Sequence, residues 1–172
     1  MDVIALENRY QDELKKFGQN IRKIREILEF GSQEDFGKSC GINRTQISRI
    51  ESALVNIEFE TTVRLAAGCQ LQLIALFEYS DSQELLSFDE NIGLAERIKI
   101  EKKKFGARLL QIREHRGNTQ LEIEVATGIG RSKVSEYENG IKNISFRTLV
   151  KFMLALEVEM ADFFDNDDSL PE

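Results

Sequence analysis

Ser32-Gln33-Glu34-Asp35-Phe36-Gly37-Lys38-Ser39-Cys40-Gly41-Ile42-Asn43-Arg44-Thr45-Gln46-Ile47-Ser48-Arg49-Ile50-Glu51 reads as two short helices joined by a glycine turn. Ser32, with Asp35 three residues on, has the spacing of a helix N-cap followed by an acidic third residue, which opens a helix over 33–40. Gly41 stops that helix, because a left-handed residue there costs glycine nothing. Asn43 then caps a further helix from Arg44 to Glu51. At helical spacing Ile47 and Ile50 turn toward a core, while Arg44, Thr45 and Arg49 share the opposite face.

The pattern returns from Thr119 to Gly140, and the likeness extends in both directions. Residues 17–77 recur at 105–164 with one deletion, at the Phe30-Gly31 loop: Phe17-Gly18 as Phe105-Gly106, Ile24-Arg25-Glu26 as Ile112-Arg113-Glu114, Gly41-Ile42 as Gly128-Ile129. Downstream, Asn56-Ile57 returns as Asn143-Ile144, Phe59 as Phe146, and Phe77 as Phe164. Self-similarity at a fixed offset marks two copies of one small unit. Upstream, Leu6, Tyr10, Leu14, Phe17, Ile21, Ile24 and Leu28 form one apolar stripe along an extended first helix, and Leu94, Ile98, Phe105, Leu109 and Ile112 do the same in the second copy. Thr119 with Glu122 opens a helix over 120–127, and another runs from Arg131 to Glu138. Two further helices close each unit, near 59–68 and 71–78, then 146–156 and 159–164.

The expected fold is all-α, with two tandem five-helix units and extended first helices. The first unit spans 1–79, a linker 80–92, the second unit 93–165 and an acidic tail 166–172. Neither unit has a large core of its own, so packing between them or against another chain is expected to add stability.

The quoted stretch resembles the phage Cro/repressor-like (XRE-type, lambda-repressor-like) helix-turn-helix family, and so does Thr119 to Gly140 with its Ser135-Glu136-Tyr137-Glu138-Asn139-Gly140 ending. Arginine in the first helix, glutamine opening the second, Gly-Ile at the turn and Ser-x-x-Glu in the third occur together twice. The resemblance implies a DNA-binding transcriptional regulator, a repressor, with the third helix of a unit laid in the major groove of double-stranded DNA. It also implies that Arg25 with Glu51, and Arg113 with Glu138, bridge the first helix to the third as structural ion pairs.

The residues carry that chemistry on their own terms. Arg44 and Arg49 can each donate two hydrogen bonds to guanine, and Thr45 offers a hydroxyl or a methyl to a base edge. Asn43 and Gln46 flank them. Gln33, first in its helix, sits where an amide and backbone N–H groups can hold a phosphate, and Gln120 is its equivalent. The second face carries Arg131, Ser132, Lys133 and Glu136, so a carboxylate replaces Arg49; glutamate accepts from cytosine but repels phosphate. Glu124 stands where Gly37 stands in the first copy, a departure from the resembling family, which keeps a small residue there because the third helix packs closely. The first copy is therefore the stronger reader. The second either reads DNA or is a protein-interaction unit that keeps the fold and has lost the face.

The net charge of -7 argues against nucleic acid until it is divided along the chain: residues 15–52 carry +3 and 93–116 carry +5, with the acid in 1–14, at -3, and in the later part of each copy and the tail. A local basic face is compatible with an acidic total. No apolar run reaches the length of a membrane span, and Met1-Asp2-Val3-Ile4 has no basic region before an apolar core, so a cytoplasmic protein is expected. Cys40 and Cys69 align with Thr127 and Leu156, which favours reduced, structural thiols. Catalysis finds no foothold: His115, the lone histidine, lies at a charged helix end, and Gly128-Ile129-Gly130-Arg131-Ser132-Lys133 lacks the spacing and preceding strand of a phosphate loop. No enzyme, metal or cofactor is expected. Half-sites one DNA turn apart lie about 34–36 Å apart. Either one chain supplies two readers across that span, or a homodimer supplies one from each chain, with Leu71, Leu73, Ile74 and Leu76, or Leu6 and Tyr10, as its interface or as core.

Overall fold

A computed structural model of the chain describes residues 2–78, 92–165 and 170–171. The linker expected at 80–92 and the acidic tail at 166–172 fall mostly outside the described residues. The element order runs twice: α1 (Val3–Ile27), α2 (Gln33–Cys40), α3 (Arg44–Glu51) and α4 (Phe59–Cys69), with a 3-10 turn at Leu73–Leu76, then α5 (Leu94–His115), α6 (Gln120–Thr127), α7 (Arg131–Glu138) and α8 (Phe146–Leu156), with a turn at Ala161–Phe163. The fifth element of each repeat, expected as a helix near 71–78 or 159–164, is only this short 3-10 turn. Both turns are tied to the first helix of their own repeat. Asn20 donates to the carbonyls of Ala75 and Leu76 at 3.1 and 3.0 Å, and Arg108, at the equivalent place, donates to Asp162 at 2.9 Å.

The caps form as their residues dictate. Ser32 accepts from the Asp35 amide, Asn43 from Gln46, and Thr119 forms a full capping box with Glu122. Gly41 and Gly128 take left-handed φ of 64° and 70°.

Inside each repeat the first helix crosses the third so closely that only glycine fits. A Cβ on Gly18 would sit 2.5 Å from the Ile50 carbonyl oxygen, and one on Gly106 would sit 2.5 Å from that of Glu138. That close approach compensates the helix propensity both glycines forfeit.

Between repeats the packing is exchanged: α1 lies on α8, and α4 lies on α5. Six phenylalanines make this junction, and their contacts come in equivalent pairs. Phe17 meets Phe146 at 5.3 Å between ring centroids and Phe105 meets Phe59 at 5.4 Å. Phe77 and Phe164 stack on each other at 4.0 Å, with ring planes 9° apart. The backbone repeats the pattern: Phe59 N–H donates to Ile144 at 2.8 Å and Phe146 N–H to Ile57 at 2.7 Å, on either side of the bridge between Glu58 and Ser145. Asn143 caps the Glu60 amide of α4 and Asn56 caps the Arg147 amide of α8, so each repeat caps the other's helix. Leu6, Tyr10, Leu71, Leu73 and Leu76, weighed from sequence as core or dimer interface, are all buried within this one chain.

Gly18→Ala is expected to lower stability by about 1–3 kcal/mol, since the obstructing atom is backbone and must shift. Gly93→Ala, which meets nothing within 4 Å, is expected to leave stability within about 0.5 kcal/mol. Urea unfolding of both variants measures the difference.

Candidate nucleic-acid interface

Arg44, Thr45 and Arg49 stand exposed on α3, while Ile47 and Ile50 behind them are fully buried. Arg49 reaches back to donate to the Leu54 carbonyl at 3.4 Å. Asn43 spends its side-chain oxygen on the cap of α3, at 2.8 Å from the Gln46 amide. One end of α3 thus presents an arginine, a hydroxyl and a helix N-terminus to solvent.

What holds α3 in place is an ion pair with a third member. Arg25 donates to both Glu51 oxygens, at 2.7 and 3.2 Å, and Gln33 donates to the same carboxylate at 2.9 Å. Arg113, Glu138 and Gln120 repeat the arrangement, with Gln120 at 2.7 Å from Glu138. The Glu51 carboxylate, hydrogen-bonded to Arg25, raises the guanidinium above its ordinary pKa. The Gln33 and Gln120 amides, read from sequence as phosphate holders, each direct an N–H inward. Their role in tying the second helix to the first and third was missed, although the recurrence of glutamine with the Arg–Glu pair in both copies was its signal.

The second face is built differently at two points. Glu124 accepts from the Arg131 amide at 3.2 Å, so a carboxylate side chain sits at the N-terminus of α7, where Gly130 provides no side-chain cap. Glu136 is paired with Lys142 at 3.1 Å. Arg131, Ser132 and Lys133 are exposed around them. The turn also changes. In the first repeat the Ile42 amide closes on the Gly37 carbonyl at 2.8 Å, and a Cβ on Gly37 would stand 2.4 Å from the Ile42 oxygen. With Glu124 at that place the Ile129 amide bonds instead to the Thr127 hydroxyl at 3.1 Å. The turn has opened to admit a side chain, and that side chain caps α7.

Leu121 and Val125, 55% and 78% exposed, lie one turn apart on α6, where the first repeat has the ion pair Glu34–Lys38 at 3.1 Å. Cys40 and Cys69 are buried free thiols; contact with Cys40, together with burial, pushes the Cys69 thiol up, so it stays protonated. His115 is exposed. Among the described residues no helix is long and apolar enough to cross a membrane, and no three acidic, histidine or cysteine side chains are grouped to hold a metal ion.

Residues 109–163 match the family model described as helix-turn-helix. The matched segment runs from the last third of α5 to the turn after α8, within the repeat with the more acidic face. No curated protein matches the chain.

Removing one partner of the Arg25–Glu51 pair strands a charge whose side chain is 5–13% exposed. Arg25→Ala is expected to cost about 3–5 kcal/mol. Arg25→Ala combined with Glu51→Ala should cost clearly less than the two single changes added together, as a double-mutant cycle in denaturant would read.

Proposed function

We propose that this protein is a non-enzymatic, sequence-specific DNA-binding transcriptional regulator of the Cro/repressor-like kind, acting in the cytoplasm as a repressor. It is built of two tandem helix-turn-helix domains, 1–79 and 93–165, joined by a linker at 80–92 and followed by an acidic tail at 166–172. The observation that carries this reading is the exposed, cationic end of α3, held at a set angle by the part-buried Arg25–Glu51–Gln33 cluster. A helix so presented enters a major groove with Arg44, Thr45 and Arg49 toward base edges, while the α3 N-terminus and Gln46 face the backbone. Gln33, at the start of α2, keeps its backbone N–H for a phosphate even with its amide turned to Glu51. On α7, Arg131, Ser132 and Lys133 supply the same kind of contacts, and Gln120 is the phosphate-side residue of that repeat. Glu136 there accepts from cytosine once Lys142 turns to a phosphate. Bound across a promoter, such a chain excludes polymerase without any further domain. No cofactor is required.

A second reading, a protein-binding adaptor acting through the second repeat, is favoured by one observation: Leu121 and Val125 place apolar surface on α6 where the first repeat has a surface ion pair.

Selection of duplexes from a random pool at low salt, with sequencing of the retained fraction, separates the two readings. The regulator yields an enriched motif; a pool without one refutes it. On the enriched duplex Arg44→Ala is expected to cost about 1–3 kcal/mol and to relax preference at one base pair. Equal loss on every sequence would reassign Arg44 to a phosphate.

A further inference from the structure

The junction between repeats is isologous in form. Its backbone bonds, caps and ring contacts come with mates: Phe59 N–H to Ile144 with Phe146 N–H to Ile57, the Asn143 cap with the Asn56 cap, and Phe17 on Phe146 with Phe105 on Phe59. A surface of this kind pairs like with like across a twofold axis and ordinarily makes a homodimer. Here both halves of the surface belong to one chain.

The charges beside the junction decide which halves can meet. Glu60 on α4 pairs with Lys102 on α5 at 3.4 Å. The equivalent of Glu60 on α8 is Arg147, which pairs with Glu7 on α1 at 2.6 Å and lies 4.4 Å over the Tyr10 ring. The polarity is reversed between the two places. If two first repeats from separate chains paired, Glu60 would take the place of Arg147 beside Glu7, carboxylate against carboxylate. If two second repeats paired, Arg147 would take the place of Glu60 beside Lys102, cation against cation. Only the unlike pairing puts opposite charges together at both sites. These pairs are partly exposed and contribute little strength each; they act by making the wrong pairing repulsive.

The two outward helices are therefore held in a twofold-like relation by one chain, yet they present different chemistry. The α3 face has Arg44, Thr45 and Arg49. The α7 face has Arg131, Ser132 and Glu136, with the Glu124 carboxylate at its N-terminus.

We infer that a single chain occupies a whole duplex site composed of two unlike half-sites in inverted orientation, one read by α3 and the other by α7. This rests on the DNA-binding reading above and adds the class of site and its stoichiometry. A regulator that dimerises through like repeats reads a palindrome; this one reads a site whose halves keep a palindrome's inverted arrangement and differ in sequence.

The test uses the full chain and the duplex enriched from a random pool. Two further duplexes are made from it, each a perfect palindrome built by duplicating one half. Sedimentation of the complexes is expected to give one chain per duplex, and each palindrome is expected to bind about tenfold or more weakly than the enriched duplex, because one face meets the wrong base edges in each. Glu136→Arg, which gives α7 the residue type of position 49, is expected to narrow the gap for the palindrome of the α3 half. A palindromic enriched motif, two chains per duplex, or a palindrome bound as tightly as the parent would overturn the inference while leaving DNA binding standing. An unenriched pool would instead remove the DNA reading and this inference with it.

Discussion

Two backbone hydrogen bonds, Phe59 N–H to Ile144 and Phe146 N–H to Ile57, set the relation between the halves of this molecule. They flank a one-residue bridge between the segments that precede α4 and α8, and they bring the asparagine caps of each repeat to the other repeat's helix. Around them the six phenylalanines exclude water, with the Phe77–Phe164 stack at the centre. Neither repeat has a closed core without this exchange, because α1 covers α8 and α5 covers α4. Small units bury too little apolar surface to be secure alone, and here each completes the other.

From that junction the outward helices inherit their placement in two rigid steps. The first helix of each repeat joins the shared core at Phe17 or Phe105, and the neighbouring glycine, Gly18 or Gly106, crosses the third helix with no room for a methyl group. The Arg–Glu–Gln cluster then locks the end of that third helix. A reading face needs such support, since side chains that address base edges are useful only when the helix beneath them cannot tilt.

The departures of the second repeat belong to one local change. With Glu124 in α6 where α2 has Gly37, the tight closure made by Gly37 and Ile42 is forbidden, and Thr127, where the first repeat has Cys40, supplies a hydroxyl for the freed Ile129 amide. The glutamate carboxylate then finds the nearest unsatisfied donor, the amide of Arg131 at the start of α7. A helix N-terminus attracts negative charge, and in this repeat the chain provides its own. The family-model match to 109–163 shows that this change leaves the helix-turn-helix pattern intact.

Much of this was legible in the sequence because it depends on neighbours along the chain. Ser32 with Asp35, Asn43, Gly41 and the matching residues from Thr119 onward marked α2, α3, α6 and α7, since caps and left-handed stops are local devices. The duplication marked the shared architecture, and the family resemblance of both copies implied the pairing of Arg25 with Glu51 that orients α3. The exchange of α1 and α5 between repeats was not legible: an apolar stripe states that a helix face is buried and never against which partner. Nor was the inward turn of the Gln33 and Gln120 amides, or the service of Glu124 as a cap. Those follow from which groups lie within hydrogen-bond reach once distant segments have packed, and only the tertiary structure brings them there.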